Sequence, residues 1–436
     1  MADSAPQTHG KMLPHGNAGD DMVRHRRIHR HEHVTGPAHR CNRVRRNTAP
    51  GPRAPHQHSL AQRTAYARAY QLGHHNRRAG FMNHTLGHMK IFHCFFGFRM
   101  GGSETLVVDL ANEQARRGHD VTLLAVNSDV DPALLATLLP AVHRILIGRR
   151  PGSRNPLPVM RLNAILARRR PDAVHLHNIG IAGMILPPLR RRLICTLHTT
   201  GIDLRLGRGA VRLAAISPTV REEALARHPG ADIEVIHNSI DFEAVSRRPD
   251  TPAFGDTLRI VQLGRLFPEI KGQDLLIRAL GILAREGISN ISAEFIGDGS
   301  GRQQLEELAR NEGVLPQVSF AGSLSRRDTY RRLATYDLMI HPSRIEGFGL
   351  AVIEGMAAGL PVVVPDRGAP FEITHHGELA RTFAYGDARS LAGTLRQIHA
   401  GYAAAHSLAA PARQYAMSLY SLPAMADAYQ RAYSGL

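Results

Sequence analysis

Short apolar runs alternate with longer amphipathic segments along the chain from residue 90 onward. The first series predicts strands over residues 90–96, 121–126, 144–147, 173–177, 193–197, 214–217 and 233–237. Helical patterns separate most of them, and the first, over 103–117, has Ser103 as its predicted cap and Gly118 at its end. Because strands that alternate with helices pair in parallel, this pattern predicts a doubly wound α/β sheet.

A polar stretch over residues 242–256 interrupts the rhythm, and a second series then begins. It predicts strands over 259–263, 293–296, 318–320, 337–341 and 361–365, and helices over 274–286, 303–311 and 326–336. We therefore predict two Rossmann-like domains, over 88–245 and 255–416. Ligands of open α/β sheets bind beyond the carboxyl ends of the strands, so both domains would present their loops to one cleft.

The first 80 residues differ from the rest of the chain in composition. They carry a net charge of +10 out of +17, hold 11 of the 26 histidines, and show no regular periodicity before a weak pattern near 59–72. We interpret residues 1–85 as a disordered Arg/His-rich extension. Basic tails bind nucleic acid or anionic membranes, but without a recognisable binding fold this composition favours a solvated tail or an upstream extension of the reading frame.

The sequence contains no pattern typical of secretion or of a membrane span. No apolar core of about 7–15 residues follows the basic N-terminus, and no uncharged apolar run reaches about 18 residues. Cys41, Cys94 and Cys195 lack the paired spacing of zinc or disulfide frameworks, and the last two are expected in the core. We expect a cytoplasmic protein. Seven arginines and no acidic residue over 149–170 indicate either a helix packed on the sheet or peripheral contact with an anionic membrane.

A glycine-rich loop with two glutamates follows the strand predicted over 337–341. Gly347 and Gly349 allow backbone N–H groups to approach a ligand at a helix N-terminus, where the helix dipole favours phosphate. Glu346 precedes the turn. Glu354, about one turn inside the helix, offers acceptor oxygens for a ribose diol.

Other candidate residues also follow predicted strands. Arg265 and Lys271 flank the loop after the first strand of the second domain, where they are either ligand-binding cations or exposed surface charges. Gly102 follows the first strand of the first domain, the usual place for a backbone nest. His198 ends a strand on the cleft side, whereas His175 and His177, at a neighbouring strand end, are interpreted equally as structural or as lining an acceptor site.

Two motifs resemble known functional motifs only in part. Gly297 and Gly299 resemble the start of a dinucleotide motif, but Arg302 occupies the position of its third glycine. A loop close to phosphate or sugar and a plain tight turn both remain open. Asp129 and Asp131 imitate a metal-binding pair, but Asp131 precedes a proline, which is typical of a helix cap.

The order of these motifs resembles that of the retaining glycosyltransferases of family 4, which have the GT-B fold. The matching segments are 118–122, 216–221, 236–241, 264–266, 271–272 and 346–354. The resemblance covers about residues 88–436 and implies two Rossmann-like domains facing a cleft, with a helix at about 418–436 that crosses back onto the first. Ser239 and Ala369 stand where the family usually has glycine.

The resemblance implies transfer of a sugar from a nucleotide-diphosphate sugar to an acceptor hydroxyl. The hydroxyl would attack the sugar from the same side that the diphosphate leaves. Arg265 and Lys271 would bind the diphosphate, so that no metal or other cofactor is needed. Glu346 and His198 would contact the sugar, and Glu354 the ribose. The other donor-binding residues that it implies are Gly102, which would close the site, and Gly297, Gly299, Gly347, Phe348, Gly349 and Leu350.

The implied partners are a nucleotide-sugar donor and a glycan or lipid-linked acceptor, in synthesis of cell-surface polysaccharide, lipopolysaccharide or glycolipid. Two alternatives belong to other classes. A sugar-nucleotide epimerase or phosphorylase on the same fold has no acceptor alcohol, and the spacing of Glu346 and Glu354 argues against it. A basic nucleic-acid-binding protein would depend only on the N-terminal extension.

Overall fold

Two parallel β-sheets organise the part of the chain that the computed structural model describes, residues 87–207 and 211–436. The extension predicted over 1–85 lies outside it. The strands of the first sheet are β1 (Lys90–Phe95), β2 (Asp120–Asn127), β3 (His143–Arg149), β4 (Ala173–Leu176), β5 (Leu193–Leu197), β6 (Val211–Ala215) and β7 (Ile233–Val235). Their order is β3-β2-β1-β4-β5-β6-β7. Cys94 and Cys195 are buried on this sheet, as predicted.

Helices cross between the strands of the first sheet. They are α1 (Gly102–Arg116), α2 (Pro132–Ala136), α3 (Leu157–Arg169) and α4 (Pro218–Arg227). The prediction that Ser103 caps α1 was wrong, because Gly101 is the cap residue and the Ser103 hydroxyl donates to Glu104 instead. Asp131 does cap α2, accepting hydrogen bonds from the backbone N–H groups of Ala133 and Leu134.

The second sheet repeats the topology of the first. Its strands are β8 (Leu258–Leu263), β9 (Ile291–Ile296), β10 (Val318–Gly322), β11 (Leu338–Ile340), β12 (Val362–Pro365) and β13 (Arg381–Phe383), in the order β10-β9-β8-β11-β12-β13. Its helices are α5 (Pro268–Lys271), α6 (Gln273–Arg285), α7 (Arg302–Asn311), α8 (Arg326–Leu333), α9 (Leu350–Ala357), α10 (Ala369–Ile373), α11 (Ala388–Ala400) and α12 (Tyr402–His406). The three-residue β13 was not predicted, because its residues Arg381, Thr382 and Phe383 form neither an apolar run nor a clear alternation.

The strand order reverses direction at one point in each sheet, between β1 and β4 in the first and between β8 and β11 in the second. At such a point the two flanking crossover connections leave on opposite faces, which opens a crevice beyond the carboxyl ends of the strands. The segments that follow β8 and β11 contain Arg265, Lys271 and Glu346, with Lys271 at the end of α5. The topology therefore gathers residues that are far apart in sequence at one edge of the second sheet.

The end of the chain returns from the second sheet to the first. Helix α13 (Ala409–Tyr420) leads into α14 (Leu422–Ser434), and the backbone N–H of Ile240 donates to the carbonyl of Tyr420. Tyr429 and Tyr433 of α14 share a buried cluster with Ile91 of β1. The crossing helix that the family resemblance implied is therefore present.

The stretch predicted as a polar linker, 242–256, contains no helix or strand, but it is anchored to the protein rather than solvated throughout. Phe242 and Val245 are buried. The side chain of Arg248 is only 6% exposed and lies 3.1 Å from a carboxylate oxygen of Asp337, which is itself buried. A buried ion pair of this kind fixes the path of the connection between the two sheets.

Helix α3 packs its apolar stripe on the first sheet, with Leu162 and Leu166 buried and the arginines turned outward. Leu157 and Met160 in its first turns remain 64% and 63% exposed. Among the residues that the structure describes, no helix has the length and apolar character needed to cross a membrane.

Candidate functional site

A lysine and a histidine converge on Glu346 at the carboxyl edge of the second sheet. The Lys271 Nζ lies 2.6 Å from Oε2 of Glu346, and His341 Nε2 lies 3.2 Å from the same oxygen. Lys271 ends α5, His341 directly follows β11, and Glu346 lies in the loop before α9. Two of the predicted site residues, Lys271 and Glu346, are thus in direct contact.

Burial alone would raise the pKa of Glu346. The hydrogen bond from His341 and the charges of His341 and Lys271 outweigh that effect and lower the pKa of Glu346 to about 2. Glu346 is therefore a carboxylate throughout the physiological range. Since it is acceptor-only in that state, it suits a contact with a hydroxyl group rather than with phosphate.

Arg265 is exposed near the start of the loop after β8, with its guanidinium over the ring of Phe267. Gly297 and Gly299 pack against this loop. Gly297 has φ +138°, and an added Cβ would lie 2.1 Å from the carbonyl oxygen of Gly264, while one on Gly299 would lie 2.6 Å from that of Leu266. These glycines permit two loops to approach closely, which explains their presence without a ligand.

Glu354 lies in α9 beside residues of α8. The hydroxyl of Tyr330 hydrogen-bonds its carboxyl group, and the positive charge of Arg326 acts on it. Burial raises the pKa of Glu354 to about 7, although both of these neighbours oppose the shift. Arg326 also reaches the first domain, where its Nη1 lies 2.6 Å from Oδ2 of Asp109 on α1.

The loop between Glu346 and α9 places the remaining predicted donor residues. Gly349 has φ +108° at the N-cap of α9, a conformation that favours glycine, and Leu350 is the first residue of the helix. Phe348 is buried and stacks on His237, with ring centroids 5.9 Å apart. The backbone N–H groups that open α9 therefore lie beside Glu346.

Two polar contacts join the edges of the two sheets. Ser217 Oγ, at the start of α4, donates to the carbonyl oxygen of Gly347 at 2.6 Å. Both the hydroxyl and the backbone N–H of Thr219 donate to the carboxylate of Glu372, the hydroxyl at 2.8 Å. An added Cβ on Gly347 would lie 3.6 Å from the carbonyl oxygen of His198. The structure thus brings His198 next to the glutamate loop.

His198 is the outermost of three hydrogen-bonded histidines. Its Nε2 lies 3.0 Å from Nδ1 of His177, whose Nε2 lies 3.0 Å from Nδ1 of His93. The Nε2 of His93 lies 2.7 Å from the amide oxygen of Gln114 on α1. Burial lowers the pKa of His93 and His198 to about 4 and that of His177 well below its usual value, so all three are neutral near pH 7.

A second branch of polar contacts joins the same cluster from α14. The Tyr433 hydroxyl lies 3.4 Å from the amide nitrogen of Gln114 and 2.8 Å from Nδ1 of His175. The Nε2 of His175 lies 2.7 Å from the Thr196 hydroxyl, which in turn contacts Tyr429. His175 thus has a structural environment, whereas His177 touches His198 directly.

Gly102, a predicted site residue, takes no part in these contacts. It is the first residue of α1 and is exposed, and an added Cβ would meet nothing within 4 Å. The geometry therefore leaves room for a ligand beside it but gives it no partner.

Sequence reasoning missed His93, Gln114 and His341. His93 lies in the middle of an apolar strand and Gln114 on the buried face of a helix. A polar side chain at such a position needs a hydrogen-bond partner, and this was the available signal. The identity of the partner depends on strand order, which a single sequence does not reveal.

Two family models match consecutive parts of the chain. Residues 100–244 match the model described as Glycosyltransferase Family 4, and residues 246–415 match the model described as Glycosyl transferases group 1. Together they cover every strand of the two sheets except β1.

Two relatives from Rhizobium meliloti (strain 1021) match over nearly their whole length. The lipopolysaccharide core biosynthesis glycosyltransferase LpsD is 26% identical over 349 residues, which are 78% of this chain and 97% of LpsD. The lipopolysaccharide core biosynthesis glycosyltransferase LpsE is 29% identical over 357 residues, 78% of this chain and 98% of LpsE.

The solved structure of Anabaena Alr3699/HepE in complex with UDP-glucose has a TM-score of 0.65 at 21% identity, covering 80% of this chain and 100% of that one. That of WaaG, a glycosyltransferase involved in lipopolysaccharide biosynthesis, has a TM-score of 0.62 at 19% identity, with 79% and 100% covered. These likenesses show the GT-B fold.

Proposed function

This chain belongs to family 4 of the glycosyltransferases, and we propose that it is a retaining enzyme that transfers a sugar from a nucleotide-diphosphate sugar to an acceptor hydroxyl in cell-surface glycan or glycolipid synthesis. The lipopolysaccharide core relatives and the UDP-glucose complex of a structural neighbour support this choice of donor and acceptor class.

One observation carries the proposal: Lys271 and His341 contact the carboxylate of Glu346 at the switch point of the second sheet, and Gly347 of the same loop lies beside the backbone of His198 from the first. Arg265 and Lys271 supply positive charge for a diphosphate, and Glu346 supplies acceptor oxygens for sugar hydroxyls. The Gly347 backbone brings that loop to His198. A donor molecule bridging the two edges would span this arrangement.

In the proposed reaction the bond from the anomeric carbon to the diphosphate oxygen breaks, and a bond to the acceptor oxygen forms on the same face. The acceptor proton passes to an oxygen of the departing diphosphate. Negative charge grows on the diphosphate as the bond breaks, so preorganised cations lower the barrier. Arg265 offers a planar fork of donors, and Lys271 a point charge that Glu346 partly neutralises until the diphosphate is bound.

A lipid-linked acceptor would bring the protein to an anionic membrane surface, and α3 supports such a peripheral contact. Leu157 and Met160 are exposed at its start, and arginines follow along the same helix. Exposed apolar side chains among basic residues suit the boundary between headgroups and acyl chains.

The direct test measures nucleoside diphosphate release from a panel of UDP-, GDP- and ADP-sugars, with and without lipopolysaccharide-core and glycolipid acceptors. We expect release to depend on one donor and to rise when its acceptor is added, and NMR of the product to show the anomeric configuration of the donor. No release from any donor would contradict the function. An inverted product would contradict the retaining mechanism alone.

A further inference from the structure

The buried histidine cluster of the first sheet has a defined direction of hydrogen bonding. Neutral imidazole has one N–H and one acceptor nitrogen, so each bond between two histidines fixes which ring donates. His198, His177 and His93 form a row of hydrogen bonds that ends at Gln114. The group at this inner end therefore sets the direction for the whole row. That group is Gln114, whose amide oxygen faces His93 and whose amide nitrogen faces Tyr433.

An acceptor at the inner end makes His93 carry its proton on Nε2. The Nδ1 of His93 then accepts from Nε2–H of His177, and Nδ1 of His177 accepts from Nε2–H of His198. The outermost ring is left with Nδ1 as an acceptor. In the described part of the chain this Nδ1 is buried and has no hydrogen-bond partner.

If the hydrogen bonds ran in the opposite direction, Nδ1 of His198 would carry a buried N–H without a partner, whereas in the first direction it carries only a lone pair. Unpaired buried N–H groups are the rarer of the two in proteins. Both branches also agree in direction, because the amide nitrogen of Gln114 donates to Tyr433, whose hydroxyl then donates to Nδ1 of His175. Every ring nitrogen of His93, His175 and His177 is used in this way.

A metal ion is the competing explanation, since ring nitrogens of His93, His175 and His177 lie within 4.8 Å of one another. However, each of these nitrogens already has a hydrogen-bond partner. The 3.0 Å separation between His93 and His177 is that of an N–H···N hydrogen bond. The contacts account for the cluster without an ion.

We propose that Gln114, His93 and His177 are positioning residues that hold His198 as its Nε2–H tautomer, so that Nδ1 accepts a hydrogen bond from a hydroxyl of the transferred sugar. The identity of the hydroxyl ligand depends on the proposed function, but the tautomer and its control by the buried row do not. The row therefore makes His198 favour a sugar whose hydroxyl group can donate a hydrogen bond to Nδ1.

The tautomer is tested by NMR of the full-length protein with ¹⁵N-labelled histidine. We expect a scalar coupling across the hydrogen bond between Nε2 of His198 and Nδ1 of His177, with the proton on His198. A proton on Nδ1 of His177 would overturn the proposal, as would the absence of the coupling. Equimolar Zn²⁺ should leave these resonances unchanged, and their displacement would indicate a metal site instead.

Two matched variants separate positioning from packing. His177→Phe and His175→Phe each replace a buried imidazole by a phenyl ring on neighbouring positions of one strand end, but only His177 touches His198. We expect the protected Nε2–H signal of His198 to disappear, and kcat/KM to fall roughly three- to tenfold, in His177→Phe only. Equal losses in both variants would mean that the row contributes only to packing.

Donor analogues test which partner donates the hydrogen bond. The analogues are made from UDP-glucose or GDP-mannose, whichever the panel selects, at the hydroxyl that contacts Nδ1 of His198. Fluorine in place of this hydroxyl can still accept a hydrogen bond but cannot donate one. We expect the deoxy and deoxyfluoro analogues to lose kcat/KM equally, and the loss to vanish in His198→Ala. A deoxyfluoro analogue that performs as well as the parent sugar would show that His198 donates. If no donor is turned over, the proposed function fails while the NMR result still decides the tautomer.

Discussion

The carboxyl edge of the second sheet is charged, whereas that of the first sheet is lined by neutral imidazoles. In the second, Lys271 and His341 both contact Glu346, and Arg265 lies exposed in the loop after β8. In the first, burial keeps the histidines uncharged and they bond to one another. In the proposed function the two edges have different tasks: cations bind the leaving diphosphate, and neutral hydrogen-bonding groups select the sugar.

The largest effect should come from removing the cations. Arg265→Ala and Lys271→Ala each delete a charge-assisted contact worth about 1.5–3 kcal/mol, so kcat/KM should fall roughly 10- to 150-fold. Steady-state kinetics with the selected donor measures this, and circular dichroism checks folding. Arg396→Ala is the control, because that arginine pairs with Glu286 on the surface. Wild-type kcat/KM in both site variants would place the diphosphate elsewhere.

A smaller effect on donor affinity is expected from pH, and only through a group of the second sheet. The pKa of Glu354 is raised to about 7, and only its ionised form can accept both hydroxyls of a ribose diol. Affinity for the donor should therefore fall as pH decreases through 7, by up to about tenfold between pH 8 and pH 6. Titration calorimetry with the donor's nucleoside diphosphate would show this slope.

Glu354→Gln provides the comparison for that slope. The amide does not titrate, so the variant should bind more weakly than wild type at pH 8 and show a flat profile between pH 8 and pH 6. A wild-type slope that persists in the variant would assign the titration to another group. A wild-type profile without a slope would separate Glu354 from donor binding.

Chelation should have almost no effect if the charged edge supplies its own positive charge. In the proposed donor site, Arg265 and Lys271 supply the charge with which a divalent cation would otherwise neutralise the diphosphate, so turnover after EDTA treatment should stay within about twofold of the untreated enzyme. Complete loss of activity, restored by Mn²⁺, would show that the two side chains are insufficient.

The smallest effect is expected from deleting residues 1–80, which removes a net charge of +10. Both edges lie within the described residues, and salt at about 0.15 M screens charges beyond roughly 8 Å. The melting temperature should therefore be unchanged. The kcat/KM with a soluble acceptor should remain within about twofold of that of the full chain. An unfolded or inactive truncated protein would show that the extension contributes to one of the edges.

The sequence supported the prediction of two sheets because long apolar runs separated by amphipathic helices are a strong periodic signal. It also placed Arg265, Lys271 and Glu346 after strands. The contact between Lys271 and Glu346 was not predictable, because it depends on β8 lying beside β11. Likewise, the row from His198 to Gln114 requires that β1 pair with β4 and β4 with β5. Local patterns predict elements, but the pairing of distant elements decides which side chains meet.

Helix α14 imposes an order on biosynthesis. It covers apolar residues of the first sheet, including Ile91, Ala173 and Ala214, yet it leaves the ribosome only after the whole second sheet. At about 5–20 residues per second, the interval between β6 and α14 is roughly 10–40 s. During that time the apolar residues of this cluster lack the cover that α14 gives them in the folded protein.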